Sequence, residues 1–142
     1  MKIGVHDLEF EAPDLAITRV GGDATPDEAR AVAEALAAFA TRGPIFLLGN
    51  IGAPGATMSA RARKILVDGL RDATIVAVAA VGGDFKARII MRLVEAAFRL
   101  LSGNRTRMRF FDDEPSARAW LCTQGCVACG ATSVPDRSSG SK

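Results

Sequence analysis

The chain has 142 residues, 49% of them hydrophobic and 24% charged, with a formal net charge of +2. That is room for one domain with an ordinary core and no need of metal or disulfide staples, and it lacks the bulk positive field that draws nucleic acid. A single His and no Tyr exclude His-rich metal sites and leave few groups for proton shuttling, so a binding or regulatory module is expected before an enzyme.

The first residues, Met1-Lys2-Ile3-Gly4-Val5-His6-Asp7, have no long apolar run after the lysine and do not read as a secretory signal. Leu8–Phe10 alternates weakly and is followed by the turn-like Ala12-Pro13-Asp14. Leu15, Ile17 and Val20 then suggest a second strand closed by Gly21-Gly22, so the two runs read as a hairpin. Thr25-Pro26-Asp27-Glu28 combines an N-cap, a proline at the first helical position and the glutamate of a capping box. Ala29, Val32, Ala33, Leu36 and Phe39 behind it share one helical face, and Gly43-Pro44 stops the helix.

Ile45–Leu48 is a short continuous apolar run, the pattern of a strand covered on both faces. The glycine-rich loop from Gly49 to Gly55 has neither the Gly-Lys-Ser/Thr of a nucleotide loop nor G-x-G-x-x-G spacing, and is read as a strand-to-helix turn. Met58, Ala62, Ile65, Leu66 and Leu70 form an apolar stripe opposite Arg61, Lys64, Asp68 and Arg71, which predicts an amphipathic helix. Thr74–Val81 is the clearest central strand, broken by Gly82-Gly83. Asp84 can cap the next helix, carried by Phe85, Ile89, Leu93, Ala97, Leu100 and Leu101. Thr106–Phe111 is a final strand, and Asp112-Asp113-Glu114-Pro115 opens a last helix with Ala117, Trp120 and Leu121 on its buried face. The acidic triplet is read as capping and dipole chemistry rather than a catalytic cluster.

The order β-β-α-β-α-β-α-β-α predicts an α/β fold, a mostly parallel mixed sheet of about five strands with about four helices. No run approaches the roughly 18 apolar residues of a spanning helix. The three cysteines, Cys122, Cys126 and Cys129, crowd near the end. Their C-x3-C-x2-C spacing matches an iron–sulfur loop, but they follow the last helix in a small, polar segment. They are read as thiols of a tail, with bound metal the weaker alternative. No cofactor is expected. Residues 123–142 are expected to be a flexible tail behind a domain at 1–122, and the chain is expected to be cytoplasmic.

Charge is unevenly spread. Residues 1–34 hold three basic and eight acidic side chains, net −5, whereas residues 86–109 hold seven basic side chains against Glu95, net +6. This asymmetry marks a candidate partner surface, with Arg88, Arg92, Arg99, Arg107 and Arg109 as its cations.

The element order, the strand Ala77-Val78-Ala79-Ala80-Val81-Gly82 running into Asp84-Phe85-Lys86-Ala87-Arg88, and the closing Arg109-Phe110-Phe111-Asp112-Asp113-Glu114-Pro115-Ser116-Ala117-Arg118-Ala119-Trp120-Leu121 resemble the bacterial SpoIIAA-like proteins of the STAS superfamily, over residues 5–122. The resemblance implies a non-catalytic regulatory module that binds a protein partner, such as an anti-sigma factor or a kinase. It also implies a phosphorylation switch at the N-terminus of the helix after the third strand. The matching stretch here is Gly49–Ser59; the Asp-Ser pair of the antagonists is absent, and Thr57 and Ser59 are its hydroxyls. Asn50, Gly52, Gly55 and Met58 are then candidate partner contacts. The fold relation to CRAL-TRIO lipid-binding domains implies an alternative, a small lipid or other apolar ligand held between the sheet and the 85–101 helix. A homodimer is left open.

Overall fold

The structure, a computed structural model, describes residues 1–102 and 106–130. Its centre is a six-stranded sheet built from β1 (Lys2–Ile3), β2 (His6–Glu11), β3 (Leu15–Arg19), β5 (Ile45–Asn50), β7 (Ile75–Val81) and β8 (Arg107–Phe111), side by side in that order. β1, β2 and β3 pair antiparallel; β3, β5, β7 and β8 pair parallel. The expected mixed, mostly parallel α/β architecture is therefore what forms. Beyond that expectation the chain adds the short edge strand β1 and a separate two-stranded pair, β4 (Asp23–Ala24) with β6 (Thr57–Met58).

Helix α1 (Pro26–Ala40) begins as its sequence predicts. The Thr25 hydroxyl accepts from the Glu28 N–H at 3.2 Å, and the Glu28 carboxylate accepts from the Thr25 N–H at 3.1 Å, so two orphan donors are satisfied reciprocally. α2 (Ala60–Gly69) starts later than the Met58 stripe suggested, because Thr57 and Met58 are extended in β6 and Ser59 is the N-cap. A Cβ on Gly69 would lie 2.7 Å from the Ala33 Cβ; glycine there lets α2 close on α1. α3 (Phe85–Ser102) is capped by Asp84, whose carboxylate accepts from the Ala87 N–H at 2.8 Å.

Each parallel strand alternates between two cores, which is why β5 and β7 read as unbroken apolar runs. Ala16, Ile45 and Val78 face α1, α2 and α3, among Ala33, Leu36, Val67, Val94 and Phe98. Leu15, Ile17, Phe46, Leu48, Ala77 and Ala79 face the other way, toward α4 (Glu114–Thr123) with its Ala117 and Leu121. Trp120 packs at the margin of this second core, half-buried, with its ring 5.6 Å from that of Phe111.

The chain stays packed for several residues past 122. After α4 the chain turns at Gly125 and forms a helical turn over 127–130. Cys126, Ala128 and Cys129 are buried in the second core. Asp14, at the entry to β3, holds this turn: its carboxylate accepts from the Val127 N–H at 2.9 Å and the Ala128 N–H at 3.0 Å. Small, polar composition concealed the burial because cysteine and alanine supply the apolar atoms and Asp14 satisfies the amides. Residues 131–142, where the rest of the expected tail lies, and Arg105 of the basic stretch are outside the described residues.

Candidate binding site around the third helix

α3 is apolar on two sides. Ala87, Val94 and Phe98 are buried against the sheet side. Beside them lies a cavity of about 130 Å³ between α1, α2, α3 and the sheet, lined mainly by apolar side chains such as Leu36, Leu47, Leu66, Met91 and Met108. On the outside, Phe85 and Leu100 are 82% and 85% exposed, Ile89 and Leu93 42% and 45%. Phe85, Ile89, Leu93, Ala96 and Leu100 recur at steps of three or four, so they form one stripe along the helix. Contiguous exposed apolar surface is the kind through which proteins associate.

Arg88, Arg92 and Arg99 each precede a stripe residue by one position and so border it on a single side. The Arg88 and Arg92 guanidinium groups both sit over the Phe110 ring, 5.1 and 5.0 Å from its centroid, and Arg99 bonds Glu95 at 2.8 Å. The other two candidate cations lie elsewhere. Arg107 bonds Gln124 at 2.9 Å and Arg109 stacks over Phe111, both on the α4 side of β8. The five arginines therefore do not make one surface: period-two alternation sends Arg107 and Arg109 to the opposite face of the sheet from α3.

The loop after β5 crosses the end of the sheet next to α3. Gly52 and Gly55 are exposed. Gly82, at φ 73°, approaches Gly52 so closely that a Cβ on it would lie 3.0 Å from the Gly52 Cα, which pins the loop to the end of β7. Asn50 is engaged inward: its amide donates to Glu114 at 2.9 Å, and its side-chain oxygen accepts from the Gly52 N–H at 3.0 Å. Met58 turns to the cavity. Of the two hydroxyl candidates, Thr57 is half-buried in β6, whereas Ser59 is exposed at the N-cap of α2 and accepts from the Ala62 N–H at 3.1 Å.

Sequence reasoning missed three polar arrangements. His6 is buried; its Nδ1 accepts from the Gly21 N–H at 3.1 Å, so its Nε2–H donates to Glu28 at 2.9 Å. The Thr25 N–H and then His6 hold the Glu28 carboxyl below its ordinary range, and both side chains line the cavity. Arg19 grips Glu114 through two nitrogens, at 3.1 and 3.0 Å, and also reaches Glu9. The Arg19 pair, and less strongly Asn50, hold the Glu114 carboxyl below its ordinary range. Asp14 is the third. The capping box at Glu28 was legible, but the partners of Glu114 and Asp14 are 95 and more than 110 residues away, and no local pattern announces them.

Cys122 is exposed while Cys126 and Cys129 point into the core. Among the described residues no group of three or more His, Cys, Asp or Glu side chains is arranged to hold a metal ion, and no helix is long and apolar enough to cross a membrane. A family model described as SpoIIAA-like matches residues 15–122. No match to curated proteins or to solved structures reaches significance.

Proposed function

This chain belongs to the SpoIIAA-like family, and on that premise we propose that it is a non-catalytic STAS-type regulatory module of the bacterial cytoplasm that works by binding another protein, as an anti-sigma-factor-antagonist-type component does. The observation that carries the reading is the uncovered apolar stripe of α3 with arginines along one edge. Its complement is an acidic partner segment with an apolar face: the stripe supplies desolvation, and Arg88, Arg92 and Arg99 supply steering and register. Ser59 is the candidate phospho-acceptor. It is exposed, and a phosphate on it would sit among the first amides of α2, next to Arg61 and Arg63 in sequence. The test is a photo-crosslinking amino acid at Ile89 in native cells. A discrete crosslinked protein that disappears with Leu93→Glu supports the reading, a crosslink to a second copy points to the homodimer instead, and no crosslink at all overturns it.

A second reading is favoured by the cavity. At about 130 Å³ it compares with an engineered apolar cavity of about 150 Å³ that takes up benzene, and is smaller than the roughly 300–1,000 Å³ of drug-sized pockets. It suits a small apolar ligand as it stands, and a lipid chain only if α3 moves outward. Native mass spectrometry of the protein isolated from its own cells checks this: a non-covalent apolar adduct supports it, and protein of bare mass that takes up no benzene removes it.

A further inference from the structure

The buried thiols on the far side of the sheet serve no part of that binding role. Cys126 and Cys129 stand three residues apart at the start of the 127–130 helical turn, and the Cys129 N–H donates to the Cys126 sulfur at 3.4 Å. That places one thiol over the backbone of the residue bearing the other. Residues three apart on a helical turn lie roughly 5–6 Å apart at their Cβ atoms and a disulfide needs about 3.5–4.5 Å, so bridging them takes a small backbone shift at Cys126, which precedes the helical residues 127–130, as well as a rotamer change. Asp14 accepts weakly from the Cys126 thiol, at 3.6 Å, while its main bonds run to the amides of Val127 and Ala128. The turn therefore stays anchored if the Cys126 proton is lost.

We propose that Cys126 and Cys129 are a peroxide-oxidisable dithiol that closes to an intrachain disulfide within the folded protein. Cys129 is the attacking sulfur: the Cys126 thiol, when its one proton turns from Asp14 to the Cys129 sulfur, favours the Cys129 thiolate together with the Arg118 cation, while the same contact with Cys129 and burial push the Cys126 thiol up. The Cys129 thiolate attacks one oxygen of hydrogen peroxide and the O–O bond breaks. Cys129 becomes the sulfenic acid, and the departing hydroxide takes up a proton as water. The Cys126 sulfur then attacks the Cys129 sulfur. The S–S bond forms, the S–O bond breaks, and the Cys126 proton leaves with the hydroxyl as a second water. Each thiol gives up one electron and the peroxide is reduced to two waters. Both side chains are at most 3% exposed, which selects a small oxidant over a peptide disulfide such as oxidised glutathione. The closed loop spans only four residues, so closure removes less chain entropy than a long-range disulfide would.

The test uses the full chain carrying Cys122→Ser, since trypsin leaves all three cysteines on one peptide, 119–137. The reduced protein is exposed to graded hydrogen peroxide, unfolded in alkylating reagent and digested. The expected result is a peptide lighter by two hydrogens that resists alkylation, regains both thiols with dithiothreitol, and forms at a rate independent of protein concentration. Wild-type chain read by fragmentation should place the same link between 126 and 129, and in Cys126→Ala the reaction should stop at a sulfenic acid on residue 129 that dimedone captures. Full alkylation of both residues after peroxide, or a disulfide that forms only once the protein is unfolded, overturns the proposal.

Discussion

Asp14 carries two backbone hydrogen bonds from a turn more than a hundred residues away. Replacing it with alanine removes the acceptor of the buried Ala128 amide, at roughly 1–3 kcal/mol for an unsatisfied buried group, and of the part-buried Val127 amide, at less. Urea unfolding of Asp14→Ala should therefore show a clear drop in midpoint, and Asp14→Asn, which keeps one acceptor oxygen, a smaller one. Glu114 sets a pH dependence. Its carboxyl is held below 4.5, its ordinary value, chiefly by Arg19. A group with a depressed folded pKa stabilises fully above its unfolded pKa and loses that contribution as pH falls through the folded value. Stability should thus decline as pH drops below about 4.5, and Glu114→Gln should be less stable at pH 7 with a shallower decline over that acid range. Parallel acid profiles of the two proteins that differ by a constant would refute the assignment.

At the scale of elements, the C-terminal turn behaves as part of the domain. Truncation after Gly125 removes Cys126, Ala128 and Cys129 from the second core and uncovers the apolar faces they cover. At about 25 cal/mol per Å² the loss should reach several kcal/mol, visible as a melting temperature lower by many degrees; truncation after residue 130 is the matched control. Within α4, Leu121 is fully buried and Trp120 only partly. Leu121→Ala should cost roughly 2–5 kcal/mol, and Trp120→Ala less than the roughly 3–5 kcal/mol of a fully enclosed aromatic; thermal melts of the pair decide the order. These elements also mark what local pattern can and cannot disclose. The start of α1 was legible to the residue because a capping box is a four-residue signal, and β5 and β7 were legible because two-sided burial leaves an unbroken apolar run. β4 and β6 were not, since two-residue strands have no period. The apolar residues of α3 were legible as a stripe, but sequence spacing alone could not reveal that Phe85, Ile89, Leu93 and Leu100 face solvent while Ala87, Val94 and Phe98 take the core.

Over the whole molecule, α1, α2 and α3 share one face of the sheet, and α4 with its following turn covers the other. The first face is the less completely filled, since it holds the cavity beside α3. Val94→Ile adds one methylene toward that space; cavity filling commonly yields about 0.5–2 kcal/mol, so the variant should melt higher and take up less benzene than the wild type. A lower melting temperature would mean that the cavity walls have no slack.

The anchoring of Asp14 by residues 126–128 has a consequence for how the chain is made. Synthesis delivers the N-terminal residues first, so β3 and its α1-side neighbours emerge long before α4 exists. Until residues 114–130 clear the ribosome, Leu15, Ile17, Leu48 and Ala79 have no cover on their second side. A nascent chain halted after β8 should present that bare sheet face to chaperones, and release should coincide with the arrival of Val127 and Ala128 at the carboxylate that receives them.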